Sequence, residues 1–264
     1  FFEQYVRIIH KFSLLINFYM KYHQFTRLFI PNLFSSKEVI LSSIQDIHYL
    51  ANVMRKKVKD QLLIFNDKNG EYLAEILEIN RKRILFGLIK QVRVPETKND
   101  INLIFAPIKN TRINFLLEKA TELGATKLTP IQTKHSVVDK INLAKWQIYT
   151  KEATEQCGRL APPIIENLES LDNFLENWDS NNKIILCNEA EHSLHMAQHL
   201  KGLEKNEHIN IMIGPEGGFS YQELERLMAK NFVTSVHLGK RILRAETAAL
   251  SALSLVDASF YSSQ

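Results

Sequence analysis

Cysteine is nearly absent from the 264 residues. Cys157 and Cys187 are the only two, which excludes a disulfide framework and a CxxC metal knuckle and makes a reducing cytoplasm the expected compartment. Long apolar runs are missing as well. In the apolar opening stretch 12–20, Lys11, Asn17 and Lys21 hold the run short of the ~20 residues a membrane helix needs, and no small-residue cleavage site follows. No membrane partner is expected. The chain lacks a GxxxxGK[ST] loop, which weighs against a nucleotide-phosphate enzyme, and it has no internal repeat or low-complexity tract. Neither sign of charge dominates: Lys and Arg number 33 against 29 for Asp and Glu, a net +4 with a pI near 8.9. That balance permits RNA binding without demanding it.

What is present is an apolar fraction of 45%, ample for a buried core in one large or two small domains. Residues 1–25 read as an N-terminal extension outside the fold, with Met20 just before the patterned region. From Arg27 to Val94 short strands and turns prevail, with one brief helical stretch at 46–54. Residues 61–65, the turn cluster 66–70 and the alternation over 71–79 predict a β-hairpin with one buried face, and 83–89 adds a strand. A small β-barrel over 26–94 is the expectation. Arg55, Lys56, Lys57 and Lys59, with Arg81, Lys82 and Arg83, make this module basic. Such a patch is either a solvated face or a set of phosphate contacts.

The polar, proline-bearing segment 94–100 marks a domain boundary. Beyond it, strand-like runs at 101–106, 127–131, 164–165 and 183–187 alternate with helical ones at 111–123, 142–156, 171–178 and 193–200. This alternation predicts a mainly parallel sheet with helices on both faces. Phe115, Leu116, Ala120 and Leu123 are the expected core face of the first helix, with Gly124 as its stop. Trp146, Tyr149 and Ala153 should face inward from the second. Arg159 suits a phosphate or a carboxylate of its own fold. His192, His195 and His199 recur at i, i+3 and i+7 on one helical run, but zinc would require a fourth ligand and a supporting shell that no residue marks. A solvated histidine face is expected, and no metal.

Two stretches near the C-terminus carry most of the chemistry. Ile209, Ile211 and Ile213 are β-branched residues of a buried strand that runs into Gly214-Pro215-Glu216-Gly217-Gly218, where glycine allows a tight turn and close approach of backbone to a ligand. Ser220 should cap the next helix in a capping box with Glu223, Phe219 and Leu224 forming the staple. Val236 to Leu238, the turn at Gly239 and the helix from Ala245 repeat the strand, turn and helix order. Two such turns about twenty residues apart suggest one ligand crevice outside the carboxyl ends of neighbouring strands.

IGPEGGFS at 213–220 followed by LGKRILRAETAALSAL at 238–253 resembles the two C-terminal motifs of the RsmE family of SPOUT methyltransferases. Further matches are RLFIPN at 27–32, EKATELGATKLTPIQTKHSVV at 118–138 and KEATEQCGR at 151–159, so the resemblance covers roughly residues 26 to 258. It implies S-adenosylmethionine-dependent methylation of N3 of a uridine in the 16S ribosomal RNA of the small subunit, by a homodimer. The implied fold is α/β: a PUA-like RNA-binding β-barrel over 26–94, then a SPOUT parallel sheet with a C-terminal trefoil knot over 101–264, against the general rule that chains do not knot.

By the same resemblance, Leu186, Gly214, Pro215, Glu216, Gly217, Gly218, Leu238, Gly239, Ile242, Leu243, Thr247 and Ala248 hold the cofactor. Arg27, Arg55, Lys56, Lys109, Arg159 and Arg241 face the RNA. Arg244 and Glu246 are the catalytic candidates: Arg244 orients the base or a phosphate, and Glu246 fixes that arginine or accepts the proton, unless both merely brace the loop. Two departures stand out. Lys134-His135-Ser136 occupies the place where the family commonly has Glu-Arg-Ser, and Ile108 replaces a small residue, although Lys109 is retained. The rival readings are a SPOUT enzyme for another ribosomal or transfer RNA position, and a non-catalytic RNA-binding assembly factor.

Overall fold

The computed structural model describes residues 22, 24–96, 99–188, 193–202 and 208–262; most of the expected N-terminal extension and His192 lie outside them. The chain separates into two compact units, residues 1–96 and 97–264.

The first unit contains β1 (Arg27–Phe29), β2 (Glu38–Leu41), α1 (Ile44–His48) prolonged by a π-helical turn (Tyr49–Val53), β3 (Gln61–Asn66), β4 (Gly70–Ile79) and β5 (Ile84–Arg93). The hairpin of β3 and β4 forms as expected because Asn66 organises its turn: its side-chain oxygen accepts the Lys68 and Asn69 amides at 3.0 and 2.7 Å. Leu28, Leu50, Leu62, Ile64, Ile76 and Phe86 fill the core. The sheet runs β1-β3-β4-β5-β2, and among the described residues no ladder joins β1 to β2, so backbone pairing does not complete the expected barrel.

Arg27 has a structural role. Its Nε donates to the buried Glu71 carboxylate at 2.6 Å and its guanidinium lies 4.1 Å from the centre of the Phe65 ring. The residue holds β1 to the sheet, and its removal would leave the buried Glu71 carboxylate only the more distant Arg93 guanidinium, 3.7 Å away.

The second unit contains β6 (Ile101–Phe105), α2 (Asn110–Glu122), β7 (Lys127–Gln132), α3 (Leu143–Cys157), β8 (Ile164–Ile165), β9 (Glu169–Ser170), α4 (Leu171–Asn177), β10 (Ile184–Cys187), β11 (Leu194–His195), α5 (Met196–His199), β12 (Ile209–Ile213), α6 (Tyr221–Met228), β13 (Val233–His237) and α7 (Ala245–Ser262). The strands run β11-β13-β10-β12-β6-β7-β8, every pair parallel. Alternate residues of β12 enter different cores, as the two-residue period of a strand requires. Ile209, Ile211 and Ile213 pack with α2, α3, α5 and α7, while Met212 joins α4 and α6. Burial on both faces explains why β12 is apolar throughout.

Three expectations are corrected here. Phe115 is exposed, and the inward stripe of α2 is Ile113, Leu116, Leu117 and Ala120, at the i, i+3, i+4, i+7 spacing of an amphipathic helix. Arg159 turns inward: Nη1 donates to the Thr121 and Ala125 carbonyls at 2.8 and 2.6 Å, closing the C-terminal end of α2, and burial lowers the guanidinium pKa. It braces the fold. His195 ends β11 and caps α5, its ring accepting the Ala197 amide, so it shares no helical face with His199.

Candidate functional site

Because the sheet is parallel, the carboxyl ends of β12, β10 and β13 open on one edge, with Cys187 level with Ile213 on one side and Val236 on the other. The two glycine-bearing turns therefore flank the end of β10. They are one strand further apart than adjacent strands would put them, and the gap between them becomes a cavity with Cys187 and Asn188 in its lining.

The first turn is held from several sides. The Gly218 amide donates to the Pro215 carbonyl at 2.9 Å, and Gly218 takes a φ of +69°, a left-handed conformation natural to glycine. A Cβ at Gly214 would come within 2.9 Å of the Phe219 ring, which folds back over it. Ser220 and Glu223 make the expected capping box, the Ser220 amide and hydroxyl donating to the Glu223 carboxylate at 2.8 Å each. Phe219 and Leu224 pack on the same core cluster and line the cavity.

A third segment docks on this turn. Glu223 accepts the Lys134 amide at 2.7 Å, and His135 Nδ1 stands 3.1 and 3.3 Å from the carbonyl oxygens of Gly218 and Gly217. Both neighbours are acceptors, so Nδ1 carries the hydrogen and donates. Burial works to raise the Glu223 carboxyl, but the amides of Lys134 and Ser220, the Ser220 hydroxyl and the His135 ring outweigh it and hold the group below the ordinary carboxylate range.

In the second turn the Gly239 amide donates to His237 Nδ1 at 3.2 Å, and Gly239 adopts a φ of +128°. The Ala248 amide donates to the Arg244 carbonyl at 2.8 Å and starts α7. Glu246, in the first turn of that helix, is buried, and its hydrogen-bonded partner is Arg112. Arg112 Nη1 donates to the two oxygens of Glu246 at 3.0 and 3.3 Å, and Nη2 donates to Glu216. Burial tends to raise the Glu246 carboxyl, yet its own backbone amide, the Arg112 hydrogen bond and the charges of Arg112 and Arg244 leave it lowered. The Glu246 hydrogen bond, ahead of the charge of Glu216, raises Arg112. Glu246 thus fixes an arginine, but Arg112 instead of Arg244. A carboxylate so stabilised as an anion is a poor proton acceptor.

The cavity between the turns has a volume of about 350 Å³. Gly214, Pro215, Glu216, Gly217, Gly218, Leu238, Gly239, Ile242, Leu243 and Ala248 line it, and Arg241 joins them. Leu186 and Thr247 do not. Leu186 is fully buried in the core behind the strand end, and Thr247 is exposed on α7. Apolar side chains on the wall, backbone amides and carbonyls of two turns, and the Glu216 carboxylate suit a flat nucleoside that carries a positive charge; the volume lies within the range of small-molecule sites. A second, more open cavity of about 440 Å³ is lined by Arg112, Glu216, Ile242, Leu243 and Arg244.

Lys109 is exposed just before α2. Arg55, also exposed, has a φ of +54°, and Lys56 is half-buried; both belong to the other unit. Sequence reasoning passed over Arg112, Cys187, Asn188, His237 and the docked position of His135. Arg112 had one readable sign: a cation in the first turn of a helix, where the helix dipole disfavours it. The strand-end residues had none, because their place depends on strand order. Among the described residues no helix is long and apolar enough to cross a membrane.

Comparison with known proteins agrees with this geometry. Residues 95–257 match the family model of an RNA methyltransferase domain, and 42–89 match that of an RNA methyltransferase PUA domain. The ribosomal RNA small subunit methyltransferase E of Rickettsia conorii is 36% identical over 238 residues, 90% of this chain and 96% of that protein. Among solved structures, the ribosomal RNA small subunit methyltransferase E from Neisseria gonorrhoeae bound to S-adenosyl methionine is 28% identical with a TM-score of 0.75, over 89% of this chain and 98% of that one. A Legionella pneumophila methyltransferase in complex with the bound cofactor SAM is also 28% identical, with a TM-score of 0.76 over the same shares.

Proposed function

This chain belongs to the RNA methyltransferase family that includes the ribosomal RNA small subunit methyltransferase E proteins, and from that premise we propose that it methylates N3 of a uridine in 16S ribosomal RNA with S-adenosylmethionine as methyl donor. The observation that carries the reading is the cavity bounded by two glycine turns at the ends of β12 and β13. When bound, the cofactor supplies a methyl group on a cationic sulfur. The protein's own part is to orient it and to stabilise the uracil anion that forms when N3 loses its proton. Glu216 offers a carboxylate to the sulfonium, the ten lining residues named above hold the nucleoside, and Arg244 at the rim orients the base. Arg241, Lys109, Arg55 and Lys56 contact RNA phosphates, positioning the substrate without reading its sequence.

In this reading residues 26–94 are the PUA-like RNA-binding domain and 101–264 the methyltransferase domain, working as a cytoplasmic homodimer on the small subunit. A trefoil knot formed by α7 accords with its Ala- and Ser-rich sequence, which allows close backbone approach, and with its packing against α2, α5 and β12. Small subunits lacking the modification, incubated with the protein and labelled S-adenosylmethionine, should acquire one methyl group at uridine N3. Label elsewhere, or none despite cofactor binding, refutes the assignment. Sedimentation equilibrium should give twice the chain mass; a monomer at working concentration refutes the dimer.

A further inference from the structure

The two cavities share Glu216, Ile242 and Leu243 in their linings and so adjoin, which sets their occupants side by side, as transfer between reacting atoms about 3.5 Å apart requires. The second cavity adds two guanidinium groups, Arg112 and Arg244. We infer that this cavity is the subsite of the target uracil and that Arg112 is its positioning residue, clamped by the carboxylates of both turns. The inference rests on the function proposed above and deepens it.

Arg112 is suited to the task by what already binds it. Glu246 and Glu216 take hydrogen bonds from its two terminal nitrogens, and the side chain remains 31% exposed, so the rest of its five N–H donors are open to a ligand. The carboxylates come from residues 104 and 134 positions further along the chain. One planar group therefore sets the distance between the cofactor turn, the start of α7 and the start of α2. A flipped-out nucleotide enters such an open site readily, and the uracil carbonyls beside N3 meet permanently charged, planar donors.

In the step itself the N3 proton leaves to water at the open mouth. The N3 electron pair forms the new bond to the methyl carbon while the carbon–sulfur bond breaks, its pair returning to sulfur as the neutral thioether. Negative charge on the uracil builds up beside Arg112 and Arg244 before it is consumed.

The test compares Arg112→Gln and Arg112→Lys with the unaltered full chain, by calorimetric affinity for S-adenosylmethionine, thermal melting, and steady-state and single-turnover methylation of unmodified small subunits from about pH 6 to about pH 10. For R112Q the expected result is cofactor affinity within about threefold, unchanged KM for the subunit, and a rate constant about 100-fold lower at neutral pH. That deficit should shrink as pH rises, because alkali supplies the uracil anion without help, and R112K should recover part of the rate. A raised KM with unchanged kcat would mean a phosphate contact and overturns the inference. So does a pH-independent deficit accompanied by weaker cofactor binding, the mark of a mere brace. If R112Q fails to fold, R112K alone decides: a pH-dependent deficit supports the inference and a pH-independent one overturns it. An unaltered protein that binds the cofactor but methylates no subunit overturns the proposed function and this inference together.

Discussion

At the scale of single residues, the site is governed by which charges are already satisfied. Glu246 titrates below its ordinary range in the folded protein. A depressed carboxylate contributes stability that is present above the unfolded pKa of about 4.3 and is lost as pH falls through the folded value. Glu246→Gln should therefore melt lower than the unaltered protein at neutral pH, with the difference closing below about pH 4 as the native carboxylate protonates. Thermal melting across that range checks it, and a constant difference would contradict the ion-pair account. The thiols differ in the same spirit. Burial pushes Cys187 up to about 12, whereas Cys157 is exposed. Iodoacetamide at about pH 8 should label Cys157 and spare Cys187 until the protein unfolds, as peptide mass mapping would show.

Secondary-structure elements set the turns that surround the cavity. The capping box of α6 was legible from Ser220 and Glu223 alone, because its chemistry is local. Its tie to the 133–136 segment was not legible, since Lys134 lies 89 residues from Glu223. Ser220→Ala should cost about 1 kcal/mol, the usual value of an N-cap, and Glu223→Ala should cost more because the Lys134 amide also loses its acceptor. Chemical denaturation with an unchanged m-value would verify that order; equal losses would show the Lys134 contact to be energetically idle. Gly239→Ala imposes a side chain on a φ of +128° and should destabilise by about 1 kcal/mol or more while weakening cofactor affinity. Differential scanning fluorimetry with and without S-adenosylmethionine separates those two effects. Helical periodicity located α2 to within a residue, yet it chose Phe115 for the core when Ile113 and Leu117 hold that place. Several apolar residues crowd this helix, and only its neighbours select the stripe.

For the molecule as a whole, two units with separate cores should not melt as one. Calorimetry is expected to give two transitions, of which saturating S-adenosylmethionine raises only that of residues 97–264, by about 2.7 kcal/mol of stabilisation at a hundredfold excess over Kd. A uniform shift of both, or a single two-state transition, would refute independent unfolding.

The sequence by itself determined the alternation of strands and helices, the two glycine turns, the cap of α6 and the kinship with RNA methyltransferases, since each depends on residues a few positions apart. Tertiary structure alone decided that β10 lies between the two motif strands, that Arg27 and Arg159 serve the fold, and that Arg112 reaches Glu216 and Glu246 from more than a hundred residues away. The physical reason is that local pattern specifies what an element is. Strand order and long-range charge pairing follow from how all the buried faces and charges are satisfied at once.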